Sequence, residues 1–277
     1  ADDRGRIDVI DRLATNGIEF TTAVTSAPST VMSTSAMMTS VPAIYHSLIY
    51  EGFNSKNRGF KTVQSILDKH SYNIHNMIFF PEGRSYLKPM IGDICQDYWP
   101  KHLNPNKFWS NDNINEILQN LIESGLNEPY FSYINYNCRH DPETSTKVEY
   151  GLSMLKSKGL LNNTIIIINS DHGYPDPSRN ISFSKMRELG HDLIMTDDNV
   201  LVPLVFVVPG EGQKTIPNPV SLLDIAPTIL DLVGFGEDVL DNKNRAGISL
   251  KNIIQGKTSN VHDRIHRVDN RYICQPR

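Results

Sequence analysis

Apolar positions along this chain switch repeatedly between a helical and a strand period. Ile7, Ile10 and Leu13 recur at helical spacing within Ile7 to Thr15, and Asn16-Gly17 supplies a C-terminal stop. Ile18 to Val24 then reads as a strand running into a hydroxyl-rich stretch in which Ser and Thr fill eleven of the positions 21–40. Pro28 is tolerated in a first helical turn, and Ser29 to Ser40, small and flexible residues, reads as a helix packed closely on its neighbours. Phe60 to Lys69 has the pattern of an amphipathic helix, and Ile74 to Phe80 that of a strand ended by a Pro-Glu-Gly turn. Asp112 suits the N-cap of a helix reaching Ser124, with Ile114, Ile117, Leu118 and Leu121 on one face. Tyr130 to Tyr136 reads as a strand, Val148 to Leu160 as a helix and Thr164 to Asn169 as a strand. Val202 to Val208 is a strand closed by Pro209-Gly210, and Val220 to Val233 the last long helix.

Strands and helices alternate, and Ile165 to Ile168 lacks polar alternation, as expected where helices cover both faces of a parallel sheet. The expected fold class is α/β: a doubly wound, mostly parallel sheet with helices on both faces and its ligand site at the carboxyl ends of the strands. The 277 residues suffice for one such domain or two small ones, and either can bury a full core without staples.

Charge narrows the partners. A net charge of -4 with 21% charged residues provides no global positive field, so a nucleic-acid partner is not expected. Cys95, Cys138 and Cys274 form no C-x-x-C pair and suit free thiols of a reducing compartment, which places the chain in the cytoplasm unless a signal peptide has been removed. The apolar runs Ile165 to Ile168 and Leu201 to Val208 fall far short of the roughly 20 residues that cross a bilayer. The oligomeric state is not legible.

Four loops carry residues suited to chemistry. Asn169-Ser170-Asp171-His172-Gly173 leaves a strand at the ligand edge, and adjacent Asp and His side chains reach one metal if the chain turns sharply at Gly173. Taken alone, the tripeptide reads more simply as a capped turn. Arg139-His140-Asp141-Pro142 follows another strand onto the same edge, where a His donates to an anionic substrate or its leaving group. Gly190-His191-Asp192 precedes the strand at Val202, with a solvated surface His as its plain alternative. Thr25-Ser26-Ala27-Pro28-Ser29-Thr30 enters a helix N-terminus, a cradle for a tetrahedral oxyanion, and a hydroxyl there becomes a useful nucleophile once a metal or base lowers its pKa. Most of the other hydroxyls are expected to cap and pack. Met195-Thr196-Asp197-Asp198 reads as a solvated acidic loop.

In this order the segments resemble the sulfatase family of the alkaline phosphatase superfamily. Ile10-Asp11-Arg12-Leu13-Ala14 through Gly17 and Phe20 is similar to the family's N-x-D-x-L-A-x-x-G-x-x-F, and Ser26-Ala27-Pro28-Ser29-Thr30 falls at its C/S-x-P-S-R. His140-Asp141-Pro142 is similar to its H-x-P loop and Leu160 to Gly173 to its GL-x-x-N-T-hydrophobic-S-D-H-G segment. Pro203-Leu204 to Pro209-Gly210 and Val220 to Thr228 resemble its VPL…PG strand and VS-x-x-D-x-x-PT helix. The resemblance implies a single domain over 1–277, with a core at 7–234 and a reduced C-terminal subdomain, a short extension, at 235–277.

It also implies a metal-dependent hydrolase or transferase of sulfate or phosphate esters, acting on a small-molecule, glycan or lipid ester. Asp171 and His172 would be ligands of a divalent ion (Ca, Mn, Zn or Mg), Ser26 the nucleophile, His140 a contact to the transferring group and His191 a substrate-anion contact. Thr25, Ser29, Thr30 and Arg139 are candidate substrate-binding residues, and Thr25 the neighbouring nucleophile if the loop shifts by one; Arg84 and Lys88 are further anion-binding candidates. The family's signature ends in Arg where this chain has Thr30, which disfavours conversion of Ser26 to formylglycine and favours an unmodified hydroxyl. Asp2 and Asp3 are either part of a metal site that the family builds after an apolar strand, or lie just beyond it. The competing expectation is a catalytically degenerate, anion-binding or interaction protein that keeps the fold without a complete metal site.

Overall fold

The structure is a computed structural model that describes residues 8–46, 60–78, 119–120, 122–123, 128–136, 143–174, 195–236 and 244–259. Most of the expected helix Asp112 to Ser124 lies outside the described residues. Helix α1 spans Asp8–Ala14, β1 Ile18–Val24 and α2 Thr30–Thr39. Helix α3 follows at Val63–Lys69, three residues later than the apolar pattern predicts. The delay comes from a capping box, in which the Thr62 hydroxyl accepts from the Ser65 N–H and the Ser65 hydroxyl from the Thr62 N–H. Strands β2 (Asn73–Ile78) and β3 (Tyr130–Asn135) precede α4 (Thr144–Ser157) and β4 (Ile166–Asn169). A short helix α5 (Asp197–Val200) leads into β5 (Leu201–Val207), β6 (Lys214–Ile216) and β7 (Val220–Ser221), and helices α6 (Ile225–Leu232) and α7 (Lys251–Ile254) complete the described chain.

The main sheet is mixed, in the order β4-β5-β1-β6, with β7 also on β1. β5 runs antiparallel to both β1 and β4, whereas β6 and β7 pair parallel to β1. β2 and β3 form a second, parallel pair. β6 and β7 divide one edge of β1 between them, residues 18–20 pairing with 214–216 and residues 23–24 with 220–221. Pro217 and Pro219 lie in the gap and lack the N–H that an unbroken ladder would need. The reversed direction of β5 has a consequence for function. Its amino end pairs Leu201 with Val24, so the start of β5 shares an edge with the carboxyl ends of β1 and β4.

Alternation along β5 sends side chains to two cores. Leu204 and Phe206 join Ile18 and Phe20 of β1, Met37 and Met38 of α2, Leu67 of α3 and Leu230 of α6. Val205 faces the other way, onto Val9, Ile10 and Ala14 of α1, with Val148 and Leu152 of α4 packed beside them. Helices therefore cover both faces of the sheet. Phe20 and Phe206 meet edge to face at 5.8 Å, a favoured aromatic geometry. β4 is less buried than its unbroken apolar run predicts, each residue being half-buried, and among the described residues it pairs with β5 alone.

Residues 220–233 are not one helix. The Ser221 hydroxyl accepts from the Leu223 N–H and the Asp224 carboxylate from the Ser221 N–H, a box that ends the two-residue β7 and starts a single 3-10 turn before α6. Asp224 is fully buried, and its other oxygen accepts from the Ile248 N–H. Leu250, Ile253 and Ile254 then enter the main core, which thus extends past residue 234. No helix among the described residues is long and apolar enough to cross a membrane.

Candidate active site

Two loops meet where β1 and β4 end. The first, residues 25–30, links Val24 to α2; the second, residues 170–173, leaves Asn169. Each is tied to the stretch before β5, because the Thr25 N–H donates to the Val200 carbonyl and the Gly173 N–H to the Asn199 carbonyl, both at 2.9 Å. Gly173 is required there: a Cβ would lie 1.9 Å from the Asp198 carbonyl oxygen, so only glycine allows the two backbones to come so close. The acidic stretch read as a solvated loop borders the site through the Asp198 carbonyl, while Asp197 is exposed.

The loops are also sewn to each other through hydroxyls. Thr25 Oγ1 donates to the Asp171 carbonyl, as does Ser33 Oγ at 2.7 Å. Thr30 Oγ1 lies 3.1 Å from His172 Nε2. The opposite ring nitrogen, Nδ1, is 2.7 Å from the Gly173 carbonyl. A carbonyl can only accept, so Nδ1 carries the proton; in the neutral imidazole Nε2 then presents a lone pair and the Thr30 hydroxyl donates to it. The Asp171 carboxylate receives the His172 N–H on Oδ1 at 3.0 Å, and its Oδ2 is 3.8 Å from His172 Nε2. Ser170 Oγ closes the turn on the His172 carbonyl at 2.6 Å.

Ser26 differs from its neighbours. It is fully buried, and its hydroxyl has no hydrogen-bond partner among the described residues. An orphaned polar atom of this kind costs about 1–3 kcal/mol, a penalty that calls for an explanation. Thr25, also fully buried, has its hydroxyl committed: it donates to the Asp171 carbonyl and accepts from the Ala27 N–H. Ser29 occupies the N-cap of α2 with extended backbone, and its side chain does not cap the helix.

The pair Asp171 and His172 has the chemistry of a divalent-metal site: a carboxylate oxygen and an imidazole whose other nitrogen donates to a backbone carbonyl, the arrangement that orients ligating histidines. No group of three or more His, Cys, Asp or Glu that could hold a metal occurs among the described residues. Asp2, Asp3, Arg84, Lys88, Arg139, His140 and His191 lie outside them. Sequence reading brought together Ser26, Thr30, Asp171 and His172 but passed over Ser33 and the Asn199–Val200 carbonyls. Ser33 is one hydroxyl among eleven and belongs to no motif, and a backbone carbonyl leaves no trace in residue identity.

The sulfatase profile matches residues 2–152 and 151–235, well over half of the chain. The chain belongs to the sulfatase family. This sulfatase-family chain is 32% identical over 119 residues to arylsulfatase K of Mus musculus, a stretch covering 43% of this chain and 19% of that protein. It is 30% identical over 113 residues to N-acetylglucosamine-6-sulfatase of Capra hircus, covering 40% of this chain and 18% of the relative. The matched stretches therefore span about a fifth of these relatives.

Among solved structures, the sulfatase PsFucS1 from Pseudoalteromonas sp. superposes with a TM-score of 0.58 at 16% identity, over 89% of this chain and 66% of the other. A protein in the alkaline phosphatase superfamily from Vibrio parahaemolyticus gives a TM-score of 0.58 at 17% identity, over 82% and 60%. Both likenesses place the sulfatase chain in that superfamily's fold. Sulfatases generally use a divalent metal, and the donor types of Asp171 and His172 fit one.

Proposed function

We propose that this chain carries the catalytic core of a metal-dependent sulfuric ester hydrolase in which Ser26 is the nucleophile and Asp171 and His172 hold the metal. The observation that carries the reading is the orphaned, buried hydroxyl of Ser26, set between two residues whose own hydroxyls bond the Asp171 carbonyl and the His172 ring. The curated relatives named for aryl sulfate and N-acetylglucosamine 6-sulfate support sulfate over phosphate as the ester.

A divalent ion at this position supplies positive charge to the ester oxygens and lowers the pKa of a nearby hydroxyl. The residues of the chain do the rest. Ser26 Oγ has no competing partner among the described residues, so its lone pairs are available to attack sulfur; the serine proton passes to the leaving oxygen as its bond to sulfur breaks, and water then releases sulfate from the serine. Asp171 Oδ2 and His172 Nε2 lie 3.8 Å apart, near enough to serve one ion, and the Nδ1 bond to Gly173 fixes the ring tautomer. Thr30, in place of the family's Arg, supports an unmodified serine rather than formylglycine. His140 and His191 extend the reading as contacts to the leaving oxygen and the sulfate, and Asp2 and Asp3 as further metal ligands.

Hydrolysis of an aryl sulfate by the purified protein, abolished by a chelator and restored by Ca²⁺ or Mn²⁺, is the expected result. Turnover that survives chelation overturns the metal, and sulfatase turnover that survives Ser26→Ala overturns the nucleophile. The mass of the peptide carrying Ser26 separates serine from formylglycine. A protein that binds sulfate without metal or turnover would instead be the degenerate, anion-binding form.

A further inference from the structure

Two buried hydroxyls converge on a single backbone oxygen. Thr25 Oγ1 and Ser33 Oγ both donate to the carbonyl of Asp171 and lie 2.9 Å from each other. Thr25 and Ser33 are each 0% exposed. They come from opposite ends of the nucleophile loop. Thr25 directly follows β1, with its N–H on the Val200 carbonyl, and Ser33 sits in the first turn of α2, with its N–H on the Ser29 carbonyl. Asp171 lies 146 residues from Thr25 and 138 from Ser33.

We infer that Ser33, together with Thr25, is a positioning residue for Asp171: the hydroxyl pair fixes the peptide that carries the carboxylate and so sets where the carboxylate points relative to Ser26. A carboxylate that leaves a strand end on a tight turn can swing with its own peptide plane. Here the Asp171 carbonyl is held by groups that belong to the nucleophile's own loop and helix, so the two functional side chains share one frame. The hydroxyls are out of reach of water, so nothing replaces a donor once it is removed. Partners of this kind, one bond behind a metal ligand, commonly change metal affinity by 10- to 100-fold. The inference rests on the metal reading given above.

Calorimetric titration of the whole chain with Mn²⁺ and with Ca²⁺ tests it. Ser33→Ala and Thr25→Val, which remove the hydroxyls with little change of shape, are expected to weaken binding by roughly 10- to 100-fold. Thr25→Ser, which keeps the donor, is expected to retain the parent's affinity. Thr39→Val is the control: its hydroxyl is buried on the same helix but bonds the Ser35 carbonyl, so its loss lowers thermal stability and leaves metal affinity unchanged. If Ser33→Ala does not fold, the Thr25→Val and Thr25→Ser pair carries the test. Equal affinity in the parent, Ser33→Ala and Thr25→Val overturns this inference and leaves the metal reading standing. A parent chain that binds neither ion overturns both.

Discussion

Thr30 Oγ1 and His172 Nε2, 142 residues apart in the chain, are 3.1 Å apart in space. Because Nδ1 of the same ring donates to Gly173, a metal ion held as proposed would compete with the Thr30 hydroxyl for one lone pair. Thr30→Val should therefore leave metal affinity unchanged or raise it, by at most the about 0.5–1.5 kcal/mol of one hydrogen bond. His172→Ala should lower it at least about tenfold, since a ligand is lost. Titration of both variants with Mn²⁺ decides the matter: equal weakening in the two would mean that Nε2 is not a ligand.

Ser26→Ala separates activity from stability. Loss of a nucleophile lowers turnover by at least about a thousandfold. The same change deletes a buried hydroxyl without a partner, so thermal stability should hold or rise by about 1 kcal/mol. A variant that loses both activity and stability would show that the hydroxyl has a structural partner instead.

Gly173→Ala should be costly out of proportion to its size. The added methyl meets the Asp198 carbonyl and lies 3.0 Å from the Asn199 Cα, backbone atoms that cannot swing aside. A loss of about 1–3 kcal/mol is expected from urea unfolding, with a larger loss of sulfatase turnover as the turn carrying Asp171 and His172 separates from β5. Wild-type stability and turnover in this variant would show that the close approach is not needed.

Tyr130 predicts a limit at alkaline pH. Burial holds its phenol above the ordinary value of 10.0, the hydrogen bond with Thr164 offsets this in part, and the charge of Glu128 raises it further. A group that holds its proton more tightly when folded contributes its full stabilisation below the unfolded pKa and loses it as pH rises through the folded one. Stability should thus fall above about pH 10, and less steeply in Tyr130→Phe. Unfolding curves collected across pH 9 to 11 that keep the same slope in both proteins would remove Tyr130 as the source.

The sequence made some parts of this molecule legible and hid others for physical reasons. Hydrophobic period located β1, β3 and β5 to within a residue or two at either end, because each has a face that must be buried. It did not reveal the direction of β5, since side-chain alternation is the same whichever way a strand runs. Val220 and Ser221 vanish into the apolar repeat of α6, because a two-residue strand is made by backbone pairing alone. At the site, Asp171 and His172 stood out through their residue types. Ser33 did not, being one small hydroxyl in a stretch full of them, and only the fold shows that it alone with Thr25 among the described hydroxyls reaches Asp171.

The neighbouring carbonyls of Asn199 and Val200 receive Gly173 and Thr25. Both bonds are made by main-chain groups, so once Gly173 permits the close approach, the gap between the two loops depends little on the side chains elsewhere in them. Mutation can rewrite the surrounding loops while the ruler that spaces serine from carboxylate stays the same length.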